Sequence, residues 1–396
     1  MSDRKRMMWL ASAVYVVAVG FAASDQTTRP LAGDPLPGIT SGDFEDFRLG
    51  LEDFTEVETV EDGLGPAFNG SSCAVCHSVP AIGGGGVVAE VRAARRNEQG
   101  EFVELAPTSG SLFQIFSIPT HTCQPIIPPE ANVIARRVPI PVFGAGLVEA
   151  IPDETLLALD DAADRDRDGV SGRAAVVTDI ATGQRRVGRF GWKSQHATLL
   201  AFASDAYRNE MGITNDLFPQ ELAFGILPEQ MKLCDPIPDP EDRPDRRTRR
   251  RGIDNFESFM KFLAPIGRGP IDDTVRAGEA LFAGVGCAAC HVPALQTGSS
   301  ADPVFNRKVV PLYSDLLLHD IGTADGIRQE AATALEFRTP ALWGVRMRRP
   351  LLHDGSAPTI EDAIGFHTNE ALAARTRFLA LPAEQRAALV AFVKSL

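Results

Sequence analysis

Two short stretches of the chain place a pair of cysteines directly before a histidine. Residues 73–77 read Cys-Ala-Val-Cys-His, and residues 287–291 read Cys-Ala-Ala-Cys-His. This C-x-x-C-H spacing lets two thiols reach the vinyl groups on one porphyrin edge while the next residue turns its imidazole to the iron. The sequence therefore predicts two covalently attached haem c groups.

The predicted roles divide by residue type. The haem-attaching sulfur atoms belong to Cys73, Cys76, Cys287 and Cys290. His77 and His291 are predicted to be the proximal iron ligands. A zinc site or a thiol-redox site is the alternative for a C-x-x-C pair, but both copies here carry the adjacent histidine that haem attachment requires.

Composition narrows the classes of function. The chain has 396 residues, of which 44% are hydrophobic and 23% charged, so it is long enough for two globular domains with cores of their own. Its net charge of −13 argues against nucleic acid as a partner, because phosphates would be repelled. An electron-donor cytochrome or small redox protein with a basic docking face would suit this charge better.

The N-terminus predicts export. Basic residues 4–6 precede an uncharged apolar run at 7–23, and small residues at 20–24 offer cleavage positions. Residues 1–24 are thus predicted to be a secretory signal or, alternatively, an uncleaved membrane anchor, the one case in which the protein would associate with a membrane. Either placement puts the protein in the periplasm, where covalent haem attachment takes place in bacteria.

Two cysteines remain outside the haem motifs. Cys123 and Cys234 would lie in an oxidising compartment, and each is close to Pro-rich loop sequence. Exported proteins pair such cysteines, so we predict a disulfide between them.

The periodicity of apolar residues predicts helices around these motifs. Helical spacing occurs at 44–54 before the first motif, at 199–211, at 275–282 before the second motif, and at 389–396. A first and a last helix that cross beside a haem are the frame of a small cytochrome c. The sequence predicts short strands and turns at residues 87–151. It predicts a surface loop at residues 236–251, which are rich in Pro, Asp and Arg.

One acidic stretch has a calcium-loop pattern. Asp164, Asp166 and Asp168 alternate with other residues and are followed by Gly169. The twelfth position is Ala175, where an EF-hand has a bidentate glutamate. The stretch is therefore either a calcium site or a solvated acidic turn.

The chain resembles the bacterial di-haem cytochrome c peroxidase superfamily, and most closely its di-haem oxidoreductase (thiol oxidoreductase-like) branch. Besides the two haem motifs, the resemblance rests on Gly-Trp-Lys at 191–193, Asn-Glu-Met-Gly at 209–212, Arg-Thr-Pro at 338–340 and Leu-His-Asp-Gly at 352–355, together with Leu-Tyr-Ser-Asp at 312–315 and His-Asp at 319–320. It implies a mainly α chain with two cytochrome c-like haem domains at 25–265 and 266–396, the first carrying an irregular, partly β insertion.

The resemblance also implies catalytic residues. Trp192 matches a tryptophan that lies between the two haems, where an indole relays electrons, and Glu210 matches a carboxylate that moves a proton at bound peroxide. The alternative for Trp192 is a packed core aromatic, and for Glu210 an ordinary helix carboxylate.

The second ligand of each iron differs from the pattern of the relatives. In the peroxidases a methionine ends a helix of the form E-x-A-x-x-x-M, and His367 occupies that position here. His319 and His353 are expected to pack or hydrogen-bond near the second haem. No histidine follows His77 at a short distance, and because a lone helical His196 is more often a packed side chain, we expect the first iron to have an open or water-bound position.

Together these features predict a periplasmic di-haem oxidoreductase. It would reduce peroxide, a small-molecule oxidant, at the N-terminal haem with electrons relayed through the C-terminal haem. The alternatives are a di-haem electron carrier without catalysis, and a relative that uses oxygen or oxidises a protein side chain.

Overall fold

The computed structural model describes residues 30–106, 110–119, 123–235 and 237–396. The predicted signal or anchor at 1–24 lies outside the described residues, and so does His121, the next histidine after His77 in the sequence. Within the described ranges, none of the helices combines the length and the apolar character that spanning a membrane requires.

The described residues form eleven α-helices of 4 to 15 residues. They are α1 (Ser41–Thr55), α2 (Cys73–Cys76), α3 (Ala145–Glu149), α4 (Asp153–Leu159), α5 (Leu199–Met211), α6 (Pro228–Cys234), α7 (Gly252–Phe262), α8 (Asp273–Gly284), α9 (Ile360–Phe366), α10 (Leu372–Ala380) and α11 (Ala383–Ser395).

The strands are short. They are β1 (Ala67–Phe68), β2 (Glu90–Arg96), β3 (Phe102–Val103), β4 (Leu112–Phe113), β5 (Phe116–Ser117), β6 (Val133–Arg137), β7 (Val176–Thr178), β8 (Arg185–Val187), β9 (Leu295–Gln296), β10 (Val309–Val310), β11 (Leu318–His319) and β12 (Phe337–Arg338). The largest sheet is antiparallel, with β3, β4 and β6 all paired to β2. Its strands confirm the predicted strand-rich stretch at 87–151.

The prediction of a mainly α chain is only partly correct. Helices contain 32% of the residues and strands 12%, so the architecture is mixed. The strands pair antiparallel over two to five residues each.

The four predicted helices are confirmed as α1, α5, α8 and α11, and local signals set their ends. Thr40 caps α1 by accepting from the Asp43 backbone N–H at 3.1 Å, while the Asp43 carboxylate accepts from the Thr40 N–H at 3.0 Å. Thr198 caps α5, which ends at Gly212 in the left-handed conformation (φ 78°). These helix limits follow from capping chemistry that is visible in the sequence.

Two helix pairs cross at glycines, one pair near each C-x-x-C-H motif. Helix α1 packs on α7, and a Cβ at Gly50 would lie 2.2 Å from the carbonyl oxygen of Asn255. Helix α8 packs on α11, and a Cβ at Gly278 would lie 2.0 Å from the carbonyl oxygen of Ala388. At both crossings the backbones approach too closely for any side chain.

We expect Gly278→Ala to destabilise the protein by roughly 1–3 kcal/mol, because the added methyl must push α8 away from α11. Gly284→Ala in the same helix is the matched control, since its Cβ would meet no described atom within 4 Å. Chemical denaturation of both variants measures the difference. Equal stability of the two variants would contradict the close crossing.

The predicted disulfide is confirmed. Cys123 and Cys234 are bonded, with their Cα atoms 6.1 Å apart, and they pack in a small core with Ala67, Ala223 and Met231. The bond closes a long loop, with a sequence separation of 111. In the chain-entropy account such a closure contributes on the order of 3 to 5 kcal/mol.

The prediction that residues 236–251 form a surface loop is wrong for two acidic residues. Glu241 and Asp242 are only 7% and 8% exposed. Asp242 accepts from the backbone N–H groups of Gly252 and Ile253 and so caps α7. Residues of a charge-rich segment can thus be buried where backbone N–H groups donate hydrogen bonds to their carboxylates.

Candidate functional site

The first C-x-x-C-H motif opens onto a cavity of about 190 Å³. Cys73, Cys76 and His77 line it, together with Trp192 and Glu210. Ser72 starts α2 by accepting from the Ala74 backbone N–H, and His77 ends the helix. This single turn places both thiols and the imidazole toward one cavity, as the motif predicts.

The glycine run at 83–86 fixes the His77 ring. Its Nδ1 lies 2.8 Å from the carbonyl oxygen of Gly84. A carbonyl oxygen only accepts, so Nδ1 carries the proton and Nε2 keeps its lone pair for a metal. A Cβ at Gly86 would lie 2.4 Å from the Cys76 carbonyl oxygen, so this backbone can pass beneath the motif only without a side chain.

The second motif opens onto a larger cavity of about 350 Å³, and two histidines in it repeat the His77 arrangement. His291 Nδ1 lies 3.0 Å from the Tyr313 carbonyl oxygen, and His367 Nδ1 lies 2.7 Å from the Ala363 carbonyl oxygen. Both Nε2 atoms are thereby left as acceptors. Burial lowers the pKa of His291 to about 4 and also lowers that of His367, so both rings are neutral, as iron ligands must be.

The other histidines have different partners. His319 bonds to Asp315 through Nε2 and to Glu370 through Nδ1, both at 2.9 Å. Burial opposes protonation of His319, but its hydrogen bonds to Asp315, Cys290 and Glu370 raise its pKa well above the usual value. With both nitrogens engaged, His319 cannot coordinate iron.

His353 and His196 are held by packing and pairing. His353 lines the second cavity and stacks on Phe337 with ring centroids 4.0 Å apart. His196 Nε2 lies 2.9 Å from Asp205, and His196 is not part of the wall of the first cavity. Among the described residues, His77 is the only histidine on that wall, which also contains the buried Met211 and Met260.

None of the four motif cysteines takes part in a disulfide. Burial raises the pKa of Cys73, Cys76 and Cys287 to about 12 and raises that of Cys290 as well. A reactive redox thiol has a lowered pKa, so the raised values disfavour the thiol-redox alternative. Moreover, no metal-binding group among the described residues contains two cysteines, which disfavours the zinc alternative.

Three arginines on the wall of the second cavity, Arg338, Arg348 and Arg375, form no salt bridge with any described carboxylate. Burial lowers the pKa of Arg338 to about 10, with Arg348 adding to the effect, and burial alone lowers that of Arg348 to about 10. The buried Nε atoms of Arg348 and Arg375 have no hydrogen-bond partner within the described chain. These cavity-lining guanidinium groups fit a ligand that brings its own carboxylates, as the propionates of haem would.

Trp192 lies between the two cavities. It lines both of them, is 8% exposed, and donates from Nε1 to the Val138 carbonyl oxygen at 2.8 Å. Its ring meets Phe337 and His353 edge-on, each with centroids 6.2 Å apart. The indole is therefore fixed in orientation at the point where the two sites adjoin.

Glu210 faces the first cavity from the last turn of α5. Asn69 Nδ2 donates to its Oε2 at 2.7 Å. Burial raises the pKa of Glu210 to about 8, and the nearby Glu90 carboxylate adds to the shift. Glu90 itself is paired with Arg92 at 2.8 Å. Glu210 thus holds a proton at neutral pH beside a cavity-lining ion pair.

The structure brings together Trp192 and Glu210 with the first motif, and His367 with the second. It also places residues there that the sequence analysis missed, notably Asn69, Glu90 and Arg348. Asn69 lies four residues before Cys73, which was a usable signal. No sequence signal identified Arg348 as a cavity residue, because a basic segment such as 346–349 usually predicts exposed side chains.

The acidic loop differs from the predicted ligand set. Carboxylate oxygens of Asp161, Asp164 and Asp166 lie within 4.8 Å of one another, whereas Asp168 is not part of the group. Asp168 instead accepts from the Val170 backbone N–H at 2.8 Å. The close group of carboxylates therefore contains Asp161 in addition to Asp164 and Asp166, and Asp161 is itself paired with Arg165 at 2.8 Å. Calcium binding by Asp164, Asp166 and Asp168 stays a prediction.

A family model described as "Di-haem oxidoreductase, putative peroxidase" matches residues 129–396. No curated protein matches the chain.

Solved structures show distant likenesses. Hydrazine synthase of Kuenenia stuttgartiensis is 16% identical, covering 98% of this chain and 100% of that one, with a TM-score of 0.41. A MauG-like protein associated with microbial copper homeostasis is 15% identical over 64% of this chain and 89% of that one, with a TM-score of 0.31. The diheme peroxidase BthA of Burkholderia thailandensis is 12% identical over 77% of this chain and 94% of that one, with a TM-score of 0.29.

Proposed function

Because the chain belongs to the di-haem oxidoreductase family, we propose that it reduces hydrogen peroxide at the first cavity with electrons that enter through the second. The observation that carries the proposal is the position of Trp192, a buried indole in the wall of both C-x-x-C-H cavities. An electron carrier without catalysis would not need a protonated carboxyl such as Glu210 beside one of its cavities.

The residues of the two C-x-x-C-H motifs, together with His367, would hold two covalent haem c groups. Cys73, Cys76, Cys287 and Cys290 would attach them, His77 would ligate one iron, and His291 with His367 the other. When bound, the haems supply electron transfer and a site for the oxidant. Arg338 and Arg348 would compensate carboxylates in the second cavity.

Glu210 would act as the proton donor in this reaction. Peroxide takes up two electrons and two protons as its O–O bond breaks, and two water molecules form. The Glu210 carboxyl holds a proton at neutral pH and can donate it to the departing oxygen, while Asn69 keeps the carboxyl oriented.

The electrons would come from a reduced cytochrome or a small redox protein. A basic docking face on that donor would complement the net charge of −13. We place the reaction in the periplasm, where both a covalent haem and the Cys123–Cys234 disulfide would form. The acidic loop of Asp161, Asp164 and Asp166 is proposed as a weak calcium site.

Trp192→Phe tests the proposal. The phenyl ring keeps much of the packing but loses the indole, so we expect steady-state peroxide reduction with a reduced donor to fall at least about tenfold while the haem content is unchanged. Trp343→Phe is the matched control, because Trp343 lines the second cavity only. An equal effect of the two substitutions would remove Trp192 from the electron path.

The pKa of Glu210 gives a pH prediction. The carboxyl is protonated below about pH 8 and loses its proton above it, so turnover that depends on this proton should fall as pH rises through about 8. Steady-state rates across that range, compared with those of Glu210→Gln, measure the effect. A wild-type profile that falls in the same way as that of the variant would assign the titration to another group.

A further inference from the structure

Three carboxylates converge away from both haem cavities. Glu221 precedes α6, Asp235 follows it, and Glu241 lies in the loop before α7. Each contributes an oxygen to a group whose atoms all lie within 4.8 Å of one another. Neither cavity wall includes any of the three residues.

Three oxygens of this group make no close hydrogen bond within the described part of the protein. Both carboxylate oxygens of Glu221 and the Oε1 of Glu241 are fully buried without a hydrogen bond to any described residue. An unsatisfied buried carboxylate oxygen is costly, and three of them in one place need an explanation.

The group has no basic partner among the described residues. Burial raises the pKa of Glu221 well above its ordinary value, and the charges that add to this come from Glu241, Asp235 and Asp239. None of the salt bridges among the described residues involves Glu221, Asp235 or Glu241. The group is thus a cluster of three carboxylates inside the protein, without a salt bridge to any described residue.

One oxygen of Glu241 and one of Asp235 are held by the backbone. Thr214 donates from its N–H to Glu241 Oε2 at 2.8 Å, and Ile237 donates from its N–H to Asp235 Oδ1 at 2.9 Å. These bonds orient two of the carboxylates and leave the partnerless oxygens free for a shared ligand.

We propose that Glu221, Asp235 and Glu241 bind a calcium ion. The donor set consists only of oxygen, which favours a hard cation over zinc or copper. Magnesium usually keeps several of its waters, whereas calcium accepts carboxylates directly at 2.3–2.6 Å. Oxygens within 4.8 Å of one another can surround an ion at such distances.

The ion would connect three segments of the chain between α5 and α7. Glu241 is bonded to Thr214, which follows α5 and its Glu210, while Asp235 adjoins Cys234 of the disulfide. Calcium would thus fasten α6 and the loop before α7 to the end of α5. The site is independent of the proposed peroxide reduction.

The test uses the purified holoprotein stripped of metal with EGTA and then dialysed. Isothermal titration with CaCl₂ and the calcium dependence of the thermal unfolding midpoint are measured for the wild type, Glu221→Gln and Glu241→Gln. The control is the double variant Asp164→Asn with Asp166→Asn, which alters the exposed acidic loop.

We expect one tight calcium site in the wild type and in the loop variant, together with a rise of the unfolding midpoint. In Glu221→Gln and Glu241→Gln the tight binding should weaken about 100-fold or more, because one charged ligand is lost. In EGTA, Glu221→Gln should fold at least as stably as the wild type. Glutamine keeps the shape of the glutamate side chain, but it cannot carry the negative charge that burial disfavours.

Two results would overturn the proposal. One is a wild type that binds no calcium tightly, a result that does not depend on the folding of any variant. The other is tight binding that survives in Glu221→Gln but disappears in the loop variant, which would assign calcium to Asp164 and Asp166 instead.

Discussion

Replacing Glu210 by glutamine should slow peroxide turnover by about 10² to 10⁴-fold while both haems stay attached. The amide preserves the shape of the side chain and its bond from Asn69 Nδ2 to the remaining oxygen, but it has no proton to exchange at neutral pH. Stopped-flow or steady-state reduction of hydrogen peroxide with a reduced donor measures the loss, and the absorbance of the haems verifies their content.

A second carboxyl provides the matched control. Burial also raises the pKa of Glu257 in α7, to about 7, but Glu257 lines neither cavity. Glu257→Gln should therefore leave the rate unchanged within about twofold. If Glu210→Gln is equally active, Glu210 is an ordinary helix carboxylate and its position at the cavity has no part in proton transfer.

The largest spectroscopic effect is expected for His367→Ala. His291 and His367 both present a free Nε2 to the second cavity, so that iron should be six-coordinate and low-spin in the wild type. Removing one imidazole should convert its signal to high-spin in absorption and EPR spectra without loss of covalent haem. Imidazole in place of the methionine of the relatives should also lower its reduction potential.

The two irons should respond differently to added ligands. His77 is the only histidine on the described wall of the first cavity, so that iron should bind cyanide in the wild type, whereas the second iron should bind it only in His367→Ala. His353→Ala is the control, because His353 lines the same cavity as His367 but stacks on Phe337. If the first iron does not bind cyanide, Met211 or Met260 would be its second ligand. This result would favour the alternative function, an electron carrier without catalysis.

An unchanged spectrum of His367→Ala would exclude His367 as a ligand. His319 could not replace it, since Asp315 and Glu370 occupy both of its nitrogens. Met347 is 40% exposed and is not part of the cavity wall, which leaves His353 as the remaining histidine to substitute.

Local patterns in the sequence were sufficient for much of the fold. The C-x-x-C-H spacing acts within one helical turn, so the thiols and His77 converge wherever that turn forms. Helices α1, α5, α8 and α11 were predictable because apolar periodicity and capping residues are contained within each segment. The disulfide followed because only Cys123 and Cys234 remained once the haem motifs were assigned.

Tertiary structure decided what depends on residues far apart in the chain. Trp192 adjoins both cavities because its Nε1 is fixed by Val138 and its ring by Phe337 and His353, and no spacing encodes these contacts. Likewise, the pKa of Glu210 depends on burial and on Glu90, which belongs to a different element.

The acidic residues show most clearly the difference between what the sequence predicts and what the tertiary structure decides. Alternating aspartates suggested a calcium loop that included Asp168, yet the carboxylates that lie close together are those of Asp161, Asp164 and Asp166. Glu241 lies in a run whose composition predicts a surface, yet it is buried because Thr214 supplies a backbone donor. Composition reports the average preference of a segment for water, whereas the burial of one carboxylate is decided by the partners that the fold brings to it.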